Sequence, residues 1–376
     1  VVKVLVDGVS ILKVDKDGVS YIRDGYIYVE NGIVRSVGQG PAPEEYLYPE
    51  FLVSGRGRLA TKGFASGFTV LSLYPVRYEV DDVDWFVARE MLKYIKRSDM
   101  YYVAVLSLAE LVSKGVTEAL VVDSYLDEVA RASRDVGIDV TLAPPLNCGL
   151  DEQQQLHELK LLLGRWHGKV EGVKVGVAVC GEPEDRYLNL AREAGLPLYA
   201  IEIEKHLPAL PKDVKVVAIN PLVDVDLPRV YYGRMLKEWM GGAGLGIGVR
   251  PSYSMRDVLK EVLWFLNSDP IDMVLAGTKV TSDLIDHPES SALREGSRSS
   301  LVVYNLSEPP GWPVPREPRS AARAVIGGDL PIETVMIGDE VVLDREGLLT
   351  VGYEVFRKAT KKFEDLLPTL PPSPSR

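Results

Sequence analysis

Histidine is scarce in this chain, with only His157, His167, His206 and His287 among 376 residues. A catalytic centre built on several imidazoles, the commonest ligands of catalytic zinc, would have to gather them from distant parts of the chain. Cysteine is scarcer still, Cys148 and Cys180 alone. Two such residues form neither a disulfide framework nor a metal-ligand spacing, so two reduced thiols are expected. Basic residues are outnumbered 43 to 54, a net charge of −11, which argues against nucleic acid or an anionic membrane as partner. No apolar run approaches the roughly 20 residues that cross a bilayer, and the first residues show no signal-peptide pattern. A cytoplasmic location is the expectation. Asn and Gln are few beside Val, Glu, Arg and Pro, a balance that leans toward a thermophilic source.

What is present is a large supply of core. Apolar residues make up 46% of the chain, and the length suits an α/β barrel with a small appended domain. Residues 1–58 alternate like strands, and Asp-Gly and Asn-Gly pairs punctuate them. Tyr26–Val37 reads as one hairpin about Asn31-Gly32. From Leu59 onward the pattern changes. A buried strand around Phe68–Leu73 precedes helical stripes over 81–97 and Met100–Ser113, a strand at Ala119–Val122, and a helix over Tyr125–Val136. A Ser124/Asp127 capping box is expected to open that helix and Gly137 to stop it. Strand, helix, glycine, strand in repetition is the signature of β/α units around a parallel sheet. Further strands are expected at Ile138–Ala143, Val173–Val179, Leu196–Ile203 and Val214–Ile219, with a helix over Leu227–Met240. The word from Gly241 to Gly246 reads as a helix end and turn, because it lies before a strand rather than after one.

The run Lys62-Gly63-Phe64-Ala65-Ser66-Gly67-Phe68-Thr69-Val70-Leu71, the opening G-Y-I-Y-V-E-N-G-I-V-R-S-V-G and the word L-S-L-A-E-L-V-S-K-G-V-T-E-A-L-V-V-D together resemble the amidohydrolase superfamily, specifically its chlorohydrolase and deaminase branch. The resemblance implies a (β/α)8-type TIM barrel over 59–304, irregular between Lys205 and Asp226. It also implies a small composite β-sandwich domain from 1–58 and 305–350, with a helix and loose tail at 351–376. Relatives of this kind are commonly dimers or larger, so a homo-oligomer is expected.

The same resemblance places the family's metal-binding histidines on Phe68, Val70 and Ile201, with a further histidine position lost to Tyr199. The region of Asn220 lacks the next one, and the metal-binding acid falls on Arg250. Phe68, Val70 and Ile201 have no lone pair to offer zinc or iron, and Arg250 is a cation at neutral pH. The leading expectation is therefore a barrel without cofactor, a non-catalytic or repurposed ligand-binding or regulatory subunit. A small molecule could sit at a mouth lined by Phe68, Val70, Tyr199, Ile201, Glu202, His206, Asn220, Arg250 and Cys180. Glu204 is the candidate catalytic acid, with Glu202 expected on the same strand face. A bridge from Arg250 to one of these acids is the plainer reading. The alternative is a metal-dependent hydrolase of non-peptide C–N bonds, with zinc or iron relocated to Glu202, Glu204 or His206. A third reading is metal-free acid/base chemistry by Glu204 with Arg250 as electrostatic partner. Cys180 could be a nucleophile, though a structural thiol is the simpler assignment.

Overall fold

The computed structural model describes residues 2–78 and 85–369. Strands β1 (Lys3–Asp15), β2 (Gly18–Glu30) and β3 (Ile33–Gln39) form an antiparallel meander. Asn31 and Gly32 turn its second corner with φ of +48° and +74°, the left-handed pair that a two-residue hairpin needs. Two shorter strands, β4 (Phe51–Ser54) and β5 (Arg58–Lys62), run parallel to β1.

The chain then changes to parallel strands. In order come β6 (Phe64–Thr69), α1 (Trp85–Leu92), α2 (Arg97–Ser113), β7 (Val116–Val121), α3 (Leu126–Val136), β8 (Asp139–Leu142), α4 (Glu152–Arg165) and β9 (Val173–Val175). These four strands pair in sequence order. A second parallel sheet follows the same rule with β10 (Val177–Cys180), α5 (Asp185–Ala194), β11 (Leu198–Ile201), β12 (Val216–Ile219), β13 (Arg229–Tyr231) and β14 (Gly244–Leu245). Parallel bridges join the two sheets at both edges, Thr69 with Gly248 and Pro145 with Ala178. Most of these strands read as continuous apolar runs because both of their faces are covered. Side chains on one face, among them Phe68, Val70, Leu120, Tyr199, Ile201 and Ile219, pack into one buried cluster. The other face meets the helices in a larger one.

Helices α6 (Met255–Phe265), α7 (Pro270–Leu275) and α8 (Thr281–Leu284) lead back to β15 (Ser300–Asn305). Beyond it lie α9 (Pro318–Gly327), β16 (Ile332–Ile337), β17 (Glu340–Asp344), β18 (Gly347–Leu348) and α10 (Tyr353–Leu366). β15 pairs with β5 on one side and β16 on the other, so both ends of the chain share one nine-stranded sheet.

Three local expectations fail. Leu227–Met240 is not an α-helix: Arg229–Tyr231 is a strand, and a 3-10 turn covers Gly233–Glu238. Pro228 and the run Val230-Tyr231-Tyr232 favour extended backbone over the helical stripe read there. The Ser124/Asp127 capping box does not form. Tyr125 precedes α3 in the left-handed region, and the Asp127 carboxylate instead accepts from the Trp166 indole and the Arg165 guanidinium. Of the helix expected over 81–97, residues 81–84 lie outside the described residues, Trp85–Leu92 is α1, and a non-helical stretch at 93–96 separates it from α2, which starts at Arg97. Gly137 does end α3 at φ of +85°, and Gly115 and Gly195 follow the ends of α2 and α5 at φ of +80° and +65°.

The β/α alternation is not regular throughout. Residues 202–215, between β11 and β12, contain no helix, and neither do residues 220–228 between β12 and β13.

Candidate functional site

Open α/β sheets and barrels alike place their chemistry at the carboxyl ends of parallel strands. Phe68, near the end of β6, is buried and lies flat against Tyr232, ring centroids 4.3 Å apart and planes 17° from parallel. Trp85, at the start of α1, meets the Phe68 ring edge-on at 6.1 Å. Val70 is buried beside them, and its carbonyl accepts from the Tyr253 hydroxyl at 2.7 Å. Tyr199 and Ile201 on β11 are fully buried. The Tyr199 hydroxyl is held well above its ordinary pKa by burial, with the charge of Asp286 as a smaller contribution. These positions form a continuous packed layer.

Asn220 follows β12 with φ of +47°, and its side chain acts on backbone. Its Nδ2 donates to the Tyr232 carbonyl at 3.1 Å while its Oδ1 accepts from the Tyr232 N–H at 3.0 Å. This two-point clip holds the ring that stacks on Phe68. Arg250, just past the last parallel strand, pairs with Glu261 on α6. That is the partner it takes in place of the expected Glu202 or Glu204.

The acid pair does not sit on a strand. β11 ends at Ile201, Glu202 takes a φ of +55°, and Glu204 is exposed. The alternation that would aim both carboxylates to one side therefore does not apply. The Glu204 and Lys205 N–H groups both donate to the Glu182 carboxylate, at 3.2 and 2.6 Å. His206 is exposed and lines a depression between residues 206–216 and 224–228.

The cysteines overturn the expectation of free thiols. Cys148 and Cys180 form a disulfide, Cα atoms 5.1 Å apart. The pairing of Pro145 with Ala178 brings the segment after β8 alongside β10, and Asn147 fixes it there. Its Oδ1 accepts from the Cys180 N–H at 2.7 Å and its Nδ2 donates to the Cys180 carbonyl at 3.2 Å. Sequence spacing carried no trace of that neighbourhood. A disulfide-bonded sulfur is not available as the attacking thiolate considered for Cys180.

One buried acid escaped the sequence reading. Asp123, two residues past β7, accepts from the Leu71 and Ser72 N–H groups at 2.8 and 2.9 Å and from the Ser124 N–H at 2.7 Å. Burial raises its pKa to about 6, against the pull of those amides. The signal was an acid directly after a buried strand, Leu120-Val121-Val122-Asp123. Two donors near the same strand ends, the buried Trp85 indole N–H and Nη1 of Arg250, have no hydrogen-bond partner among the described residues.

No family model matches the chain. Among curated proteins it is similar to a 5-methylthioadenosine/S-adenosylhomocysteine deaminase of Caldanaerobacter subterraneus subsp. tengcongensis. That match is 22% identical over 445 residues and covers 96% of this chain and 98% of the relative. A deaminase of the same name from Syntrophomonas wolfei is 26% identical over 176 residues, 45% of this chain and 40% of that protein. The fold superposes on an adenosine deaminase of Xanthomonas campestris with bound zinc, at a TM-score of 0.81, 12% identity and coverage of 98% and 99%. It also superposes on the zinc complex of an atrazine chlorohydrolase from Arthrobacter aurescens, at a TM-score of 0.79, 15% identity and coverage of 96% and 100%. In sequence and in fold the chain is thus similar to the deaminase and chlorohydrolase branch of the amidohydrolase superfamily.

This similarity corrects the expectation that no cofactor is involved. Both solved neighbours carry zinc, which points to a metal cofactor for members of this group. The side chains at the positions that the resemblance gives to metal ligands do not themselves fit a divalent cation. Phe68, Val70 and Ile201 are hydrocarbon, Asn220 is committed to the Tyr232 backbone, and Arg250 is a cation. Among the described residues no group of three or more His, Cys, Asp or Glu could hold a metal ion. No helix among them is long and apolar enough to cross a membrane.

Proposed function

We propose that this amidohydrolase-branch protein works by binding a small molecule at the strand ends rather than by hydrolysing it, as a repurposed or regulatory member of its family. In this reading the two parallel sheets, bridged at both edges, make up the irregular TIM barrel. The sheet shared by the chain ends is the small composite domain, spanning 1–58 and 305–350. The observation that carries the reading is the Phe68–Tyr232 stack, with Asn220 clamping its backbone. A side chain that must bind a metal or polarise water needs open coordination space, and here the equivalent positions are packed core. Trp85 Nε1 and Arg250 Nη1 supply donors for a ligand bearing a carbonyl or carboxylate oxygen, since a buried donor left unpaired costs about 1–3 kcal/mol.

The comparisons favour a second reading, a metal-dependent hydrolase of a non-peptide C–N bond, as the names of the relatives and the zinc of the neighbours suggest. No catalytic step is drawn through the metal, because the aligned residues do not fit it.

One experiment separates the two. Zinc-loaded protein is assayed for ammonia release from 5-methylthioadenosine, S-adenosylhomocysteine and adenosine, and the same compounds and their deaminated forms are titrated calorimetrically. Saturable binding without turnover, weakened in Trp85→Phe, supports the binding reading. Zinc-dependent turnover overturns it in favour of the hydrolase.

A further inference from the structure

β13 runs into the 3-10 turn Gly233–Glu238, and after β14 the chain returns as α6. Between that turn and the second half of α6 lies a hollow of about 210 Å³, lined by Arg234, Leu236, Lys237, Glu261, Val262 and Phe265. Glu261 and Val262 stand four and three residues before Phe265, so the three share one face of the helix. The base of the hollow is hydrocarbon. Leu236 and Val262 are 3% and 1% exposed and belong to the core that backs the parallel strands. Phe265 forms one wall and is 77% exposed. A lone exposed aromatic is ordinary, but this ring borders a cavity, so apolar matter placed there would leave water against both base and wall.

The charges narrow the choice of ligand. Lys237 is exposed and has no ion-pair partner among the described residues. Arg234, also exposed, lines the same hollow. Glu261 is the acid of the lining, and its charge is already met by Arg250, so it does not turn an anion away. One uncommitted lysine matches one negative charge, where a phosphate dianion would call for more.

We propose that this hollow binds a small apolar monocarboxylate, a single ring or a short chain, with its hydrocarbon on Leu236, Val262 and Phe265 and its carboxylate on the Lys237 ammonium. The cavity is smaller than the ~300–1,000 Å³ of pockets that take drug-sized ligands, so the ligand is small. Its lining shares no residue with the strand-end layer around Phe68. The site is therefore distinct from the one proposed at the strand ends.

The probe is 3-phenylpropionate, with the neutral 3-phenylpropionamide as its isostere, titrated into the full chain by saturation-transfer NMR and calorimetry. A ligand of this size should bind with a dissociation constant on the order of 1 mM. The amide should bind about fivefold more weakly, and K237Q should remove that difference. F265A takes away the wall and should weaken both probes about fivefold. Lys237 and Phe265 are exposed, so both variants are expected to keep the circular dichroism of wild type. W85F alters the donor proposed at the strand ends and should leave probe binding unchanged. No saturable binding up to ~20 mM, equal affinity for acid and amide, or affinity untouched by both F265A and K237Q would each overturn the proposal. Loss of binding in W85F with F265A unaffected would seat the probe at the strand ends, overturning this site while leaving the strand-end reading intact.

Discussion

Phe68 and Tyr232 lie face to face with ring centroids 4.3 Å apart, and Phe68 occupies the position that the family resemblance gives to a zinc-binding histidine. An aromatic pair of this kind contributes about 0.5–1.5 kcal/mol beyond the area it buries. The strand ends that would face substrate in a hydrolase are therefore part of what holds the two parallel sheets together.

That assignment predicts a stability cost where a catalytic residue would show little. Phe68→Ala leaves a hole against Tyr232 and Trp85, and should lower stability by about 3–5 kcal/mol, read from the urea midpoint. Phe68→Leu, which keeps most of the volume, should cost clearly less. Equal, small effects of both would mean that the stack is dispensable and the site open.

Asp123 should impart a pH dependence of unusual sign. Its folded pKa is raised to about 6 by burial, whereas an exposed Asp titrates near 3.9. Between those values the folded state holds the proton more tightly than the unfolded state. This group's contribution is therefore complete below about pH 4 and is lost as pH rises through 6, a change of about 3 kcal/mol. Other carboxylates titrate in the same range, so the readout is the difference between wild type and Asp123→Asn. The advantage of wild type should shrink from pH 4 to pH 7. A constant difference would show that Asp123 titrates normally.

The Cys148–Cys180 bond closes a loop with a sequence separation of 32. Loop-closure entropy assigns such a link about 3.5–4 kcal/mol. Denaturation with and without reductant should show a loss of that order, and Cys180→Ser should reproduce the reduced value. The two Asn147 bonds to the Cys180 backbone should keep the segment docked after reduction, so native circular dichroism is expected to persist in mild conditions. Identical midpoints with and without reductant would show that the bond does not constrain the unfolded chain.

Legibility in the sequence followed how local the determinant was. The Asn31-Gly32 hairpin and the helix end at Gly137 were readable because each depends on a few neighbouring dihedral angles. The family's fold was readable from motifs quoted in frame. The strand Arg229–Tyr231 was read as helix, since short apolar runs have no decisive period and the pairing partner, β12, is fixed by tertiary structure. Non-local partnerships were the least visible. Cys148 with Cys180, Arg250 with Glu261, and Asn220 with the Tyr232 backbone all depend on which loops the strand order brings together. Glu202 and Glu204 show the converse error, a period-2 argument extended past the residue where the strand stops.

Beneath the strand ends, Lys62 and Glu118 form an ion pair with no solvent exposure on either side, Nζ to Oε1 at 3.0 Å. Lys62 also donates to the Gly63 carbonyl at 3.1 Å and the Ser300 hydroxyl at 3.3 Å, and the Ser282 hydroxyl donates to the second oxygen of Glu118. Every charge here is met, yet removing two ions from water offsets most of what their attraction returns. The single variant Lys62→Met leaves a buried carboxylate without its cation and should cost about 3–5 kcal/mol. The double variant Lys62→Met/Glu118→Leu removes both charges and should cost less than the single one, despite changing more atoms. A double-mutant cycle on urea midpoints gives the coupling directly. If the double variant is as unstable as the sum of the singles, the pair is not acting as a unit. In that case the serine and threonine hydroxyls around it, rather than the ion pair, hold β5, β7 and β15 together.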